Sequence, residues 1–402
     1  MCKDAPMNEM AEAFDVARAR SDTPGCEGVV HLNNAGAALM PRQVLDAMVG
    51  HLERESTVGG YEAAADAHEQ VEHVYDAIAR LLNCSRTEVA IVENATRAWD
   101  MAFYSFAFEP GDRILSSAAE YESNYLAFLQ VSRRTGARVE IVPSDASGQV
   151  SVEALEDMLD DRVRLISLTH VPTNGGLVNP AAEVGRVARR HGIPFMLDAC
   201  QSAGQLPLDV EEIGCDILSA TGRKYLRGPR GTGFLYVRDS LLGQLEPPLI
   251  DLHAAEWISR DEYRIRPDAR RFENWETNYA AKIALGVAVD YALDWGIGPI
   301  WDRVRGLGQA LRGRLAELPK VTVLDVGAVR CGIVSFAVDG LEGAEVQRRL
   351  RADGINVSVS PRRYTRIDME DRGLSEVIRA SAHYYNTEAE IERLVESLAL
   401  MG

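Results

Sequence analysis

Between residues 90 and 240 the chain alternates short apolar runs with amphipathic stretches of helical length. Strands are expected at 88–92, 111–116, 138–142, 165–169, 194–198, 216–220 and 233–237. Helices are expected from about Thr96, over the acidic stretch 152–159 and over 181–191. Parallel strands need long crossovers, which helices supply, so this order leaves few options. It predicts an α/β fold, a mostly parallel sheet with helices on both faces. In such sheets ligands sit at the C-terminal ends of the strands.

Two of those ends carry chemistry. Phe195-Met196-Leu197-Asp198-Ala199-Cys200-Gln201 reads as a buried strand that ends in a carboxylate. Ser219-Ala220-Thr221-Gly222-Arg223-Lys224 brings a lysine 26 positions after that carboxylate. Lys224 is one of only four lysines, with Lys3, Lys282 and Lys320. Arginine stays protonated and cannot form an imine under ordinary conditions, so few residues could hold an aldehyde. A lysine that forms a Schiff base and an aspartate that keeps a ring nitrogen protonated are what pyridoxal 5′-phosphate (PLP) requires. Read singly, Asp198 is equally a helix cap and Lys224 a surface cation.

Composition narrows the partners. The chain has 402 residues and a net charge of −17, which argues against nucleic acid and against anionic membrane surfaces. No run of some 20 apolar residues occurs. Residues 1–19 are polar and acidic, without the apolar core of a signal peptide. The six cysteines (2, 26, 84, 200, 215, 331) have no metal-ligand or disulfide spacing, so no metal and a reduced, cytoplasmic setting are expected.

Elsewhere, 10–19 reads as a helix, and Val29 to Ala38 as a segment whose small residues permit close backbone approach. Helices are expected after Pro41 and over 62–83, with a loop at 56–60. Asn94-Ala95-Thr96 follows a strand at a helix start, where free N–H groups favour an anion. Thr96 is either a phosphate ligand or a simple cap. Tyr121, at another strand end, either lies flat on a ring or is a half-buried tyrosine. Gly228 to Gly233 is a glycine-rich turn that matches neither the Walker pattern nor GxGxxG before a helix. Residues 245–275 read as irregular. Long helices follow at 278–295 and 302–317. Then come strands 321–325, 332–337, 355–359 and 376–380 and helices 343–353 and 387–399, a smaller C-terminal α+β domain. The domains are therefore an N-terminal segment, 1–40, packing with the small domain, a large domain, 41–290, and the small domain, 291–402.

From Val29 onward the chain resembles fold-type I PLP enzymes of the class V aminotransferase and cysteine desulfurase group. The resemblance rests on His31-Leu32-Asn33-Asn34-Ala35-Gly36, Asn94-Ala95-Thr96, Glu120-Tyr121, Leu197-Asp198-Ala199-Cys200-Gln201-Ser202, Thr221-Gly222-Arg223-Lys224, Arg271-Phe272-Glu273, and Arg379-Ala380-Ser381-Ala382-His383-Tyr384-Tyr385-Asn386-Thr387-Glu388. It implies a seven-stranded-type sheet and a homodimer with active sites at the interface. It further implies Lys224 as the Schiff-base lysine and proton shuttle, Asp198 on the ring nitrogen and Gln201 on the ring oxygen. Tyr121 would stack on the ring. Ala95, Thr96, Thr221 and Arg223 would hold the phosphate. The family often has an Asn where gapless spacing here gives Thr173, with Asn174 next. Thr277, beside Glu276, would reach the neighbour's phosphate. Arg379 would clamp the substrate carboxylate, with Asn34, Ala35 and Gly36 on the substrate side.

A cysteine desulfurase needs a nucleophilic thiolate on a loop shortly before that arginine. Residues 358–381 contain no cysteine; the loop reads Ser360-Pro361-Arg362-Arg363-Tyr364-Thr365-Arg366. Either it accommodates a larger or anionic substrate, or it is a solvated basic loop. The turn from Gly222 to Gly231 resembles the C–S lyase subset, which includes the hercynylcysteine sulfoxide lyases. The expected activity is therefore β-elimination from an S-substituted cysteine in a specialised biosynthetic pathway. The alternatives are an aminotransferase, epimerase or decarboxylating deaminase, and less favoured a cysteine desulfurase. A non-catalytic relative would have lost Lys224 or Arg379, and both are present.

Overall fold

The computed structural model describes residues 14–401. Its large sheet has seven strands: β1 (Val89–Val92), β2 (Arg113–Ser117), β3 (Arg138–Val142), β4 (Val163–Thr169), β5 (Phe195–Asp198), β6 (Ile217–Thr221) and β7 (Gly233–Val237). They lie in the order β1-β7-β6-β5-β4-β2-β3. All neighbours are parallel except β7, which runs antiparallel to both β1 and β6. Two reversals restore the direction of β1, so the ends of β1, β2, β4, β5 and β6 open on one edge. The expected α/β architecture is borne out.

Both faces of this sheet are buried. Phe195 and Leu197 of β5 pack into one core, and Met196 into the other. That is why the strands read as continuous apolar runs rather than as alternating patterns. Helices α1 (Ala95–Phe103) and α2 (Glu122–Thr135) cover the Met196 face, and α3 (Ala181–His191) the opposite one. Strand alternation turns Asp198 toward the same face as Met196, toward α2.

The C-terminal part begins where α4 (Tyr279–Trp295) meets α5 (Ile297–Ala316) at a bend of 80°. No single helix among the described residues is long and apolar enough to cross a membrane. A second, antiparallel sheet has the order β8-β9-β11-β10, built from β8 (Val321–Val323), β9 (Ile333–Val338), β10 (Ser358–Pro361) and β11 (Glu376–Ser381). The last helix, α6 (Glu388–Ala399), begins with a capping box between Thr387 and Glu390. Val30 and Leu32 join the core of this part, and the two-residue strand Val30–His31 pairs in parallel with Ile355–Asn356.

Several boundaries differ from expectation. The loop expected at 56–60 is helical as far as Val58. Ser56 and Thr57 return their hydroxyls to the carbonyls of Glu53 and Arg54, so polarity does not end the helix. Gly59, at φ +102°, breaks it. The helix expected over 62–83 is two helices, Gly60–Asp66 and His68–Leu82. Pro299 falls in the first turn of α5, where a missing N–H costs little, so α5 starts at Ile297 instead of near 302. The strand expected at 355–359 serves two sheets. The irregular stretch 245–275 contains a hairpin, Ala255–Trp257 against Tyr263–Ile265. The helix expected at 10–19 lies partly outside the described residues; within them a helix spans Val16–Ser21.

Candidate active site

The ends of β4, β5 and β6 stand side by side, with Thr169 opposite Asp198 and Asp198 opposite Ser219. Above them opens a cavity of about 160 Å³. Asn94, Ala95 and Thr96, Tyr121 and Asn124, Thr173, Asp198, Cys200 and Gln201, and Thr221, Arg223 and Lys224 line it.

Asp198 is held from two sides. Its Oδ1 accepts from the Cys200 N–H at 2.8 Å, and its Oδ2 from Asn124 Nδ2 at 2.9 Å. Burial raises its pKa; those hydrogen bonds and Lys224 oppose the rise. The other hydrogen of Asn124 Nδ2 goes to Glu120 Oε1, also at 2.9 Å. Glu120 further accepts from Ser116, the Tyr121 N–H and Thr169, and burial raises its pKa as well. One amide thus joins two buried carboxylates. Sequence reasoning missed Asn124; the signal available was its i,i+4 spacing from Glu120 at a helix start.

Lys224 is 9% exposed and donates to Cys200 Sγ at 3.2 Å. Burial lowers its pKa, Cys200 raises it, and the Arg223 guanidinium lowers it again. Burial raises the Cys200 thiol, with Lys224 opposing. Cys200 lies in the motif Leu197–Ser202, but its spacing from Lys224 in the sequence carries no sign of this contact.

The opposite end of the cavity suits an anion. Asn94 caps α1, accepting from the Arg97 N–H at 2.9 Å. The first N–H groups of this nine-residue helix have no partner within it. A Cβ on Gly233 would stand 2.6 Å from the Asn94 carbonyl carbon, so only glycine lets β7 pass beneath the helix start. Arg223 completes this end and donates to the Gly36 carbonyl. Thr221 lines the cavity but gives its hydroxyl to the Thr232 carbonyl at 3.1 Å.

Gln201 Nε2 donates to the Ala35 carbonyl at 3.1 Å, and its Oε1 is buried without a partner. Thr173 accepts at both its carbonyl (2.8 Å) and its hydroxyl (2.7 Å) from Arg379 NH1. Arg379 lies on β11 outside the cavity wall. Burial pushes its pKa down to about 10, and its Nε has no partner.

Three expectations need correction. Asn34 is 0% exposed and all its polar capacity is engaged: Nδ2 donates to the His31 and Ser381 carbonyls and to Asn386, and Oδ1 accepts from Tyr385. It ties the N-terminal segment to the C-terminal part and does not face a substrate. Ala35 and Gly36 do not line the cavity; their carbonyls hold Gln201 and Arg223. Thr277, expected to serve a neighbour's site and not its own, lies away from this cavity and lines a smaller one with Glu93, Asn274 and Lys282.

A buried lysine for an aldehyde, a buried aspartate for a cationic ring nitrogen, and an arginine with a helix start for a phosphate fit PLP together. The orphaned Gln201 Oε1 agrees, since a buried polar atom without a partner marks space for a ligand.

The aminotransferase class-V family model matches residues 30–394. A probable cysteine desulfurase of Synechocystis is 30% identical over 92% of this chain and 90% of its own length. Another, of Methanothermobacter thermautotrophicus, is 29% identical over 94% of this chain and 96% of its own. Among solved structures, the apo cysteine desulfurase of Thermococcus onnurineus is 25% identical, with a TM-score of 0.89 over 97% of this chain and 98% of that one. A cystine C–S lyase in complex with its product, cysteine persulfide, is 26% identical, with a TM-score of 0.85 over 94% of this chain and 99% of that one. A variant of that lyase carries glycine covalently linked to its PLP cofactor. The relatives' names thus favour the activity that the sequence ranks last. Cavity and comparisons agree that this chain belongs to the class-V aminotransferase family and is a PLP-dependent enzyme.

Proposed function

We propose that this enzyme cleaves the C–S bond of an S-substituted cysteine by β-elimination, releasing a thiol, pyruvate and ammonia. The observation that carries this reading is the loop before Arg379, which has arginines and a tyrosine and no thiol between 358 and 381. Cys331 is fully buried, and its pKa is pushed up to about 11 by burial. Cys200 is fixed at a strand end between Asp198 and Lys224. Neither is a mobile thiolate of the kind that sulfur transfer requires. The likeness to a cystine C–S lyase supports the same reading.

PLP, when bound, supplies an electron sink for the pair left at Cα. Arg379 holds the substrate α-carboxylate, as its unpartnered Nε allows. Lys224 carries the cofactor and removes the Cα proton; burial and Arg223 raise its neutral fraction, as a base requires. Asp198 would meet the ring nitrogen and Gln201 the ring oxygen, and Tyr121 would stack on the ring. Arg223, Thr96 and the N–H of Ala95 would hold the phosphate, with Thr221 beside it. Two copies form a dimer in which Thr277 of each serves the other's phosphate site.

A second reading, persulfide-forming desulfuration, has the names of the relatives in its favour. One assay separates the two. PLP-loaded protein is given cysteine and a set of cysteine S-conjugates, with a reductant and no keto acid. Pyruvate and ammonia from an S-conjugate, abolished in Lys224→Ala, are expected. Alanine and sulfide from cysteine alone would replace this reading with the second.

A further inference from the structure

Elimination leaves a thiolate that is as basic as an ordinary thiol, with a pKa of about 8.5. Such a group departs faster when it is protonated as the bond breaks. Lys224 is already engaged with the Cα proton, so a separate donor on the substrate side has a task. We propose that Tyr364 is that donor, a catalytic residue that hands its phenolic proton to the departing sulfur. This rests on the C–S cleavage reading.

The turn that carries Tyr364 is bound on every side. Arg362 donates from its backbone N to the Ser375 carbonyl at 2.9 Å and from Nε to the Leu374 carbonyl at 2.7 Å. Arg363 Nε stands 3.7 Å from Glu122 Oε2, and Glu122 follows Tyr121. Thr365 is fully buried and accepts from Asn174 Nδ2 at 3.0 Å. Asn174 follows Thr173, the residue that Arg379 grips. Just after the turn, the Asp368 N–H bonds the Ala118 carbonyl at 3.1 Å. Residue 363 is thus anchored beside Tyr121 and residue 365 beside Thr173. Tyr364 is the residue between these two anchors. It is half-buried, and it lies close enough to Tyr121 and Arg379 to act electrostatically on both. The Arg363 guanidinium carbon is 5.4 Å from the Tyr364 ring centre, which holds the ring beside a cation.

The step balances without an oxidant or reductant. The Cα–H bond breaks, its proton going to Lys224 Nζ. Its electron pair forms the Cα–Cβ double bond as the Cβ–S bond breaks. Sulfur keeps the electrons of the broken bond, takes the Tyr364 proton and leaves as a thiol. Tyr364 regains a proton from solvent, and Lys224 releases the Cα proton to it. The three-carbon fragment takes up one water and yields pyruvate and ammonia.

The test compares wild-type and Tyr364→Phe holoenzymes on two substrates. S-ethyl-cysteine has a basic leaving group; S-(2,4-dinitrophenyl)-cysteine has one that needs no proton. The expected result is a fall in kcat of about 100-fold or more for the ethyl conjugate and of less than about threefold for the dinitrophenyl one. The PLP dissociation constant, and the absorbance change of the holoenzyme on adding alanine, stay at wild-type values. Equal losses on both substrates, or a changed PLP affinity, would show that Tyr364 acts through the fold or through binding and would overturn the proposal. An unchanged rate on the ethyl conjugate would overturn it too and return the acid role to Lys224. A wild-type enzyme that releases pyruvate from neither substrate refutes the C–S cleavage reading itself.

Discussion

Asp325→Ala tests whether the loop behind the active site rests on a buried charge. Arg312, on α5, meets Asp325 Oδ2 through Nε at 2.5 Å; their side chains are 8% and 0% exposed. Arg312 NH2 also donates to the carbonyls of Cys331 (2.9 Å) and Ile333 (2.7 Å). A Cβ on Gly176 would stand 2.1 Å from that NH2, so the segment running from Thr173 lies directly on the pair. Removing the carboxylate strands a buried guanidinium, a loss of about 3–5 kcal/mol. Unfolding entropy is about 2.1 cal/mol/K per residue, or about 0.8 kcal/mol/K for this chain. The melting temperature should therefore fall by about 4–6 °C, read by calorimetry on the PLP-loaded protein. Asp325 Oδ1 is buried without a partner, so the pair is imperfectly satisfied. The double variant Arg312→Met/Asp325→Leu should accordingly recover most of the loss. A fall below about 1 °C in Asp325→Ala would mean that water reaches the pair and that the burial argument is wrong.

Three further outcomes are expected. His170 is buried and its pKa is lowered to about 4, against about 6.5 in an unfolded chain. The unfolded state binds the extra proton between those values, so His170 contributes stability above pH 6.5 that is lost as pH falls toward 4, about 3 kcal/mol in all. Urea midpoints at pH 7.5 and pH 4.5 should differ less in His170→Gln than in wild type; equal differences would remove His170 from the acid response. Asn124→Leu deletes the amide between Glu120 and Asp198 and should weaken PLP binding about tenfold in an absorbance titration, because second-sphere hydrogen bonds orient the group that meets the ligand. An unchanged dissociation constant would mean that Asp198 is held well enough by Cys200 alone. Lys224→Ala should lose the Schiff-base absorbance of the resting holoenzyme before any amino acid is added, and a retained resting Schiff-base band would place the cofactor lysine elsewhere.

Much of the fold was legible because it depends on local pattern. Apolar runs of strand length separated by helical periods admit few architectures, and the polar ends of those runs fall on one sheet edge by topology alone. Asp198, Lys224, Thr96 and Tyr121 meet around one cavity because they lie at or just after the ends of β5, β6, β1 and β2, which open on one edge of the sheet. Element boundaries were less legible where side chains satisfy the backbone locally, as Ser56 and Thr57 do.

What the sequence by itself determined is the sheet, the family and the residue types gathered at its edge. Only the tertiary structure decided which polar group answers which. Asn34 reads as a site residue in its motif, yet Ser381 and Tyr385, some 350 positions away, use it as a tie. Asn124 reads as a helix-surface residue, yet it links two buried carboxylates. Arg227, in the turn after Lys224, is 1% exposed and bonds Thr23, the Leu39 carbonyl and Tyr384, joining the lysine turn to segments near both ends of the chain. A buried polar atom must find a partner somewhere, but its own sequence neighbourhood does not say where. That pairing is settled by packing between segments hundreds of residues apart, and periodicity carries no record of it.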